Sequence, residues 1–253
     1  MRTPDTLLAN IPWSQLTYIR LHCEAPADQF LNALRQCVQA QYIDIERVKP
    51  SSLMPSVPVT LPYLTYLRVV CFTDDIITLL DDFNLPSLRT LKLVTRPLTT
   101  SRDVKGLQAL AARSSCTLET LHVDDWFLPE EELIAYLSLP CLQSLRKLDI
   151  ASINISERTL SLLIFPSTTS DVGGILPCLE QLHIGYITND GLLSDVVGSR
   201  RRLTGVQNSP TSLKRVKVIF KRRRGDEPLL HDLDILHFNE FAEQGLSISW
   251  SWI

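Results

Sequence analysis

Apolar residues recur along this chain in six-residue segments of the form LxxLxL, with Ile or Val allowed for Leu and with Ala and Glu opening the second and ninth. They begin at Leu16 (LTYIRL), Ala40 (AQYIDI), Leu64 (LTYLRV), Leu88 (LRTLKL), Leu118 (LETLHV), Leu145 (LRKLDI), Leu179 (LEQLHI), Leu213 (LKRVKV) and Glu243 (EQGLSI), at spacings of 24, 24, 24, 30, 27, 34, 34 and 30 residues. Alternation of period two predicts a short strand in each, with cores near 16–21, 40–45, 64–69, 88–93, 118–123, 145–150, 179–184, 213–218 and 243–248. Between them, apolar positions fall at helical spacing over 27–37, 74–83, 103–113, 130–137, 157–164, 190–198 and 229–244. Several of these stretches open on Asp or Glu, which favour the positive end of a helix dipole. The pattern predicts an α/β fold built from a repeated strand and helix, as one domain over 1–253.

Three segments carry the longer prefix LPxLxxLxL, at Leu61, Leu85 and Leu176, and LPCLQSLRKLDI at Leu139 repeats it with an insertion. Proline lacks an amide hydrogen and fixes φ, which suits the turn ahead of a strand rather than its middle. A strand and helix at this period resemble the leucine-rich repeat solenoid, over essentially the whole chain. That resemblance implies parallel strands on the concave face and helices on the convex face. The Asn or Cys of the commonest repeat is replaced here by Glu24, Val48, Phe72, Arg96, Trp126, Ile153, Ile187 and Lys221.

The segment IPWSQLTYIRL at Ile11, the LPxL prefixes and the uneven repeat lengths are similar to the recognition region of fungal F-box leucine-rich repeat proteins. This implies a non-enzymatic protein-interaction module of the ubiquitin-ligase substrate-receptor kind, in the cytoplasm or nucleus. Its partner would be a protein client on the concave face, with a ligase adaptor only where an F-box lies upstream. Only 15 residues precede the first repeat, and a compact helical F-box does not fit in them. The expectation is a piece of a longer chain or one without ligase coupling. A regulator of a GTPase or other enzyme, or a plain scaffold, is the alternative on the same architecture.

Alternation in the strands sends a set of polar residues to one face, in columns that can be read directly. The first column runs Tyr18, Tyr42, Tyr66, Thr90, Thr120, Lys147, Gln181, Arg215 and Gly245, and the second Arg20, Asp44, Arg68, Lys92, His122, Asp149, His183, Lys217 and Ser247. Three tyrosines about 4.8 Å apart form a ladder beside Arg20, Asp44 and Arg68, and Tyr and Arg dominate binding hot spots. Two readings stand: a partner-binding surface, or a stack that only stiffens the fold. His122 and His183 lie two strands apart, about 9.6 Å, too far to share one metal ion or one proton. In the closing LSISWSWI, Trp250 and Trp252 face the core side and are expected to cap the last open layer.

The net charge of −3 conceals an asymmetry. Arg200, Arg201, Arg202, Lys214, Arg215, Lys217, Lys221, Arg222, Arg223 and Arg224 fall in one window with no Asp or Glu. The remaining 15 basic and 28 acidic residues leave the rest at −13. The window has three readings: a solvated basic face, a nuclear localisation signal in KRRR at Lys221, or a phosphate-contacting patch. Few aromatics interleave its charges, so sequence-specific nucleic-acid binding is not expected. Six scattered cysteines, with no close pair, predict reduced thiols and no metal site, and no apolar run is long enough for a membrane span. Absence of GxGxxG, GxxxxGK[ST], GxSxG and HExxH leads to the expectation of no enzyme activity and no cofactor.

Overall fold

The computed structural model describes residues 11–49, 58–71, 80–95, 106–125, 128–151, 155–166, 174–201, 212–221 and 231–253. Two compact units divide the chain, Met1–Leu118 and Glu119–Ile253, and both are mixed α/β with parallel strands flanked by helices. In the first unit the strands are β1 (Tyr18–Leu21), β3 (Tyr42–Lys49), β5 (Tyr66–Cys71) and β7 (Thr90–Thr95), paired in that order. The two-residue strand β2 (Ala25–Pro26) extends the edge of β3, and β4 (Val59–Thr60) pairs with β6 (Phe83–Asn84). Helices α1 (Ala27–Leu34) and α2 (Gly106–Ser114) complete what is described of it. The second unit alternates β8 (Thr120–Asp125), α3 (Glu130–Leu137), β9 (Lys147–Ala151), α4 (Glu157–Leu163), β10 (Gln181–Ile187), α5 (Leu192–Ser199), β11 (Arg215–Phe220), α6 (Asp232–Glu243) and β12 (Ser247–Trp252). Its five strands pair in chain order, all parallel.

Every LxxLxL segment therefore places a strand, and each strand begins two or more residues inside the motif. The second and third apolar positions form the buried columns Ile19, Ile43, Leu67, Leu91 and Ile45, Val69, Leu93 in the first unit. Leu121, Leu148, Leu182, Val216 and Val123, Ile150, Ile184, Val218 do the same in the second. Helix faces close over these columns: Phe30, Leu31 and Leu34 from α1, Leu193, Val196 and Val197 from α5.

The proline prefixes make the turns that aim each strand. Leu64 N–H donates to Leu61 O at 3.3 Å, Leu88 to Leu85 at 3.2 Å and Leu179 to Leu176 at 3.2 Å, closing turns with Pro in the position its fixed φ suits. Just beyond the turn, two successive amides donate to one carbonyl of the preceding segment, Thr65 and Tyr66 to Gln41 O and Glu180 and Gln181 to Arg146 O, and Lys214 and Arg215 do the same to Glu180 O at the start of β11. That shared carbonyl fixes the register.

The last strand departs from the expected columns by two residues. Arg215 pairs with Ser247, not Gly245, and Lys217 with Ser249. Gly245 has φ +90° and sits in the turn leaving α6, a conformation open to glycine at no steric cost, so the strand starts later. A shift of two preserves the face. Trp250 packs on Phe238 and Trp252 on Phe220, with ring centroids 6.1 and 5.1 Å apart. Of the expected helix at 74–83, residues 74–79 lie outside the described residues. Among the described residues no helix is long and apolar enough to cross a membrane.

Candidate functional site

In the first unit the register aligns Tyr18 with Tyr42 and Tyr42 with Tyr66. Their rings stack with centroids 4.2 Å apart in both steps and planes within 10° and 7°. Tyr18, on the outer strand of this ladder, is 55% exposed. Arg20 lies 5.7 Å from the Tyr18 ring centre and Lys92 lies 5.5 Å from that of Tyr66, so a cation meets each end of the stack. The Tyr66 hydroxyl is pushed up to about 12, by burial first and then by its hydrogen bond with Tyr42. The Tyr66 phenol is neutral at physiological pH.

One column over, buried Asp44 joins two arginines: Arg20 Nε at 3.3 Å from Oδ2 and Arg68 Nη1 at 2.7 Å from Oδ1. Arg68 Nη1 also donates to Glu46 Oε1 at 2.6 Å, and this hydrogen bond lowers the Glu46 carboxyl below its ordinary value. His22 stands 3.8 Å from Asp44 and 3.7 Å from Glu46. His22, Asp44 and Glu46 could each offer a metal-ligand atom. Arg20 and Arg68 already neutralise those carboxylates, so a cation would have to displace two guanidinium groups. The site is an aromatic stack with a balanced charge network.

The second unit carries the same device with other residues. His122 Nδ1 lies 3.0 Å from Asp149 Oδ2 and His183 Nδ1 lies 2.8 Å from Asp149 Oδ1, with the three aligned in register. The carboxylate between the two histidines connects both. The expectation that they lie too far apart to share one metal ion or one proton counted strand separation alone and left out the side chain between them. Burial would raise the Asp149 carboxyl, yet the hydrogen bonds and charge of His122 and His183 outweigh it and hold the group well below the usual carboxylate range.

A cavity of about 330 Å³ opens beside this column, lined by Lys147, Asp149, Gln181, His183, Arg215 and Lys217 among others. Lys147, Arg215 and Lys217 are exposed and, among the described residues, form no ion pair. Lys214 is exposed as well but pairs with Glu180 at 2.9 Å, and Lys221 is exposed at the end of β11.

Arg200 is a correction to the basic face. It is 1% exposed, and its guanidinium donates to Leu163 O, Leu176 O and Ile175 O, each at 2.9 Å. Burial pulls its pKa down to about 10, which leaves it charged at neutral pH. Arg201 is half-buried and donates to Phe241 O at 3.0 Å and Gln244 O at 3.1 Å. Arg200 ties the end of α4 at Leu163 to the turn ahead of β10, and Arg201 ties off carbonyls at the end of α6; at both helix ends a positive charge also suits the dipole. A sequence signal for Arg200 existed: Leu193, Val196, Val197 and Arg200 share one helical face. Arg202, Arg222, Arg223 and Arg224, with most of the KRRR run, lie outside the described residues.

All six cysteines are free; Cys37, Cys71 and Cys116 are buried, and burial pushes the Cys37 thiol up to about 11, away from reactivity at neutral pH. Glu130, read from sequence as a helix start, also accepts from the amides and hydroxyls of Ser156 and Thr159 and so caps α4 from the preceding helix. No family model matches the chain, and no curated protein or solved structure matches it either.

Proposed function

We propose that this chain is a non-enzymatic protein-interaction module whose strand and helix repeats are those of a leucine-rich repeat solenoid, docking a protein client at Tyr18, Tyr42 and Tyr66. The observation that supports this reading most is the exposed outer ring of the tyrosine stack beside Arg20, Asp44 and Arg68. Tyrosine gives a large rigid surface with a polar tip at small entropic cost. Because the stack already fixes these rings against one another, little ordering remains when a partner settles on them. Charges of alternating sign beside it suit a mixed-charge polar segment better than a uniform polyanion. Coupling to a ubiquitin ligase belongs to the reading only where an F-box precedes the chain; this face would then select the ligase's client.

Replacing all three tyrosines by Ala is expected to weaken client capture at least about a hundredfold, since hot-spot truncations cost about 2 kcal/mol or more and each 1.4 kcal/mol is tenfold. Quantitative proximity labelling, normalised to folded protein, measures it. If the stack is only a brace, melting will fall sharply and the labelled set will change only with the amount of folded protein.

A further inference from the structure

His231 is the most conspicuous unpartnered polar group among the described residues. Its ring is fully buried at the start of α6 and stacks on Phe220 with centroids 4.0 Å apart. Neither ring nitrogen has a hydrogen-bond partner. The nearest acceptor is Asp234, also fully buried, whose Oδ2 lies 3.5 Å from Nδ1 and likewise has no hydrogen-bond partner. Buried polar groups are ordinarily satisfied, so Nδ1 and Oδ2, two orphaned atoms 3.5 Å apart, call for a ligand that bonds both, while Nε2 points away on the other side of the ring.

The surroundings pre-orient the acids. Asp234 Oδ1 accepts from Ser194 N–H at 2.8 Å, which turns its other oxygen toward the imidazole. Asp190, in the turn between β10 and α5, accepts from Asp234 N–H at 3.0 Å and Leu233 N–H at 3.3 Å, leaving each oxygen a second lone pair. One ligand atom from each of Asp190, His231 and Asp234 lies within 4.8 Å of the other two. No Lys or Arg among the described residues pairs with either carboxylate, unlike Asp44, whose charge two arginines balance.

We propose that Asp190, His231 and Asp234 form a site for a divalent transition-metal ion of the zinc class. One imidazole and two carboxylates suit such an ion; Ca²⁺ and Mg²⁺ favour all-oxygen sets, and a buried imidazole is a poor ligand for them. The 3.5 Å between Nδ1 and Oδ2 is close to the edge of a tetrahedron with bonds of about 2.0 to 2.1 Å, an edge of about 3.3 Å. Asp190 is the exposed member, so the ion has access from its side and water completes the coordination there. The bound ion would tie the turn after β10 to the start of α6, and its role is structural. Sequence spacing hides the site because Asp190 stands 41 residues before His231, in the turn ahead of the preceding helix.

Protein stripped with a chelator and titrated with Zn²⁺ is expected to bind one equivalent at this site and melt at a higher temperature, since a ligand for the native state alone stabilises it. Co²⁺ in its place should give visible ligand-field bands without a thiolate charge-transfer band. His231→Gln and Asp234→Asn should each weaken binding on the order of a hundredfold, a first ligand counting for at least as much as the outer-shell contacts that cost tenfold to a hundredfold. His22→Gln, in the other acid and histidine cluster, should not. No binding at millimolar metal overturns the proposal, as does binding that survives His231→Gln but is lost with His22→Gln or with thiol alkylation. Should the site variants fail to fold, X-ray absorption of the zinc-loaded wild type decides: one imidazole in an oxygen shell supports the site, and sulfur or oxygen-only coordination refutes it.

Discussion

Asp44 in β3 and Asp149 in β9 hold the same place in two units of one chain. Each sends Oδ2 to a base on the preceding strand and Oδ1 to a base on the following one. In the first unit the bases are arginines, and three stacked tyrosines line the adjacent column. In the second they are histidines, and the adjacent column offers Lys147, Gln181 and Arg215 around a cavity. A parallel register makes the geometry common to both; residue choice makes one face aromatic and charge-balanced and the other cationic. Guanidinium keeps its charge at all ordinary pH values, whereas imidazole is the side chain that exchanges its proton near neutrality.

The largest effect that could break this equivalence lies in the shared core. Leu91→Ala and Leu148→Ala, buried in matching columns, should each cost about 2 to 5 kcal/mol in denaturant unfolding, with Lys147→Ala under about 0.5. A Lys147 cost equal to that of Leu148 would mean that the register assigned to the second unit is wrong.

Smaller, and confined to the second unit, is an acid limb. Asp149 has its folded-state carboxyl lowered beneath the unfolded value of about 3.9, so the stabilisation it gives is present above that value and is lost as pH falls below it. Asp149→Asn should cost about 1 to 3 kcal/mol at neutral pH and flatten the decline in stability below about pH 4. Unfolding free energies of both proteins from pH 6 to 2 measure this, and parallel curves would remove Asp149 from the account.

Smallest is the electrostatic contrast between the two faces. Lys147, Arg215 and Lys217, exposed and unpaired, should give weak polyanion binding whose logarithm falls with log salt at a slope of up to about three. Replacing the three by Ala should lower the slope by up to about three, and Arg20→Ala should barely alter it. Binding that persists at high salt and distinguishes sequences would contradict a purely ionic face.

Period-two alternation exposed the first eight strands and their two face columns, because one buried face requires it. The chain could not reveal where β12 begins: Gly245 satisfies the motif's spacing, but its left-handed φ assigns it to the turn. Charge counting likewise put Arg200 on the surface, although its phase on α5 follows Leu193, Val196 and Val197 into the interior. The links through Asp149 and around His231 depended on side-chain reach across neighbouring strands and helices, which spacing along one strand does not encode.

The claim that the aromatic face binds is tested most directly by Tyr18→Ala, assayed for client capture and for melting on the same preparation. Tyr18 ends the stack and is more than half exposed, so its removal should lose one stacking contact of about 0.5 to 1.5 kcal/mol and lower the melting temperature by only a few degrees. Capture per folded molecule should fall about thirtyfold, the equivalent of about 2 kcal/mol. Unchanged capture, with melting lowered or not, would contradict the docking role of the tyrosine face.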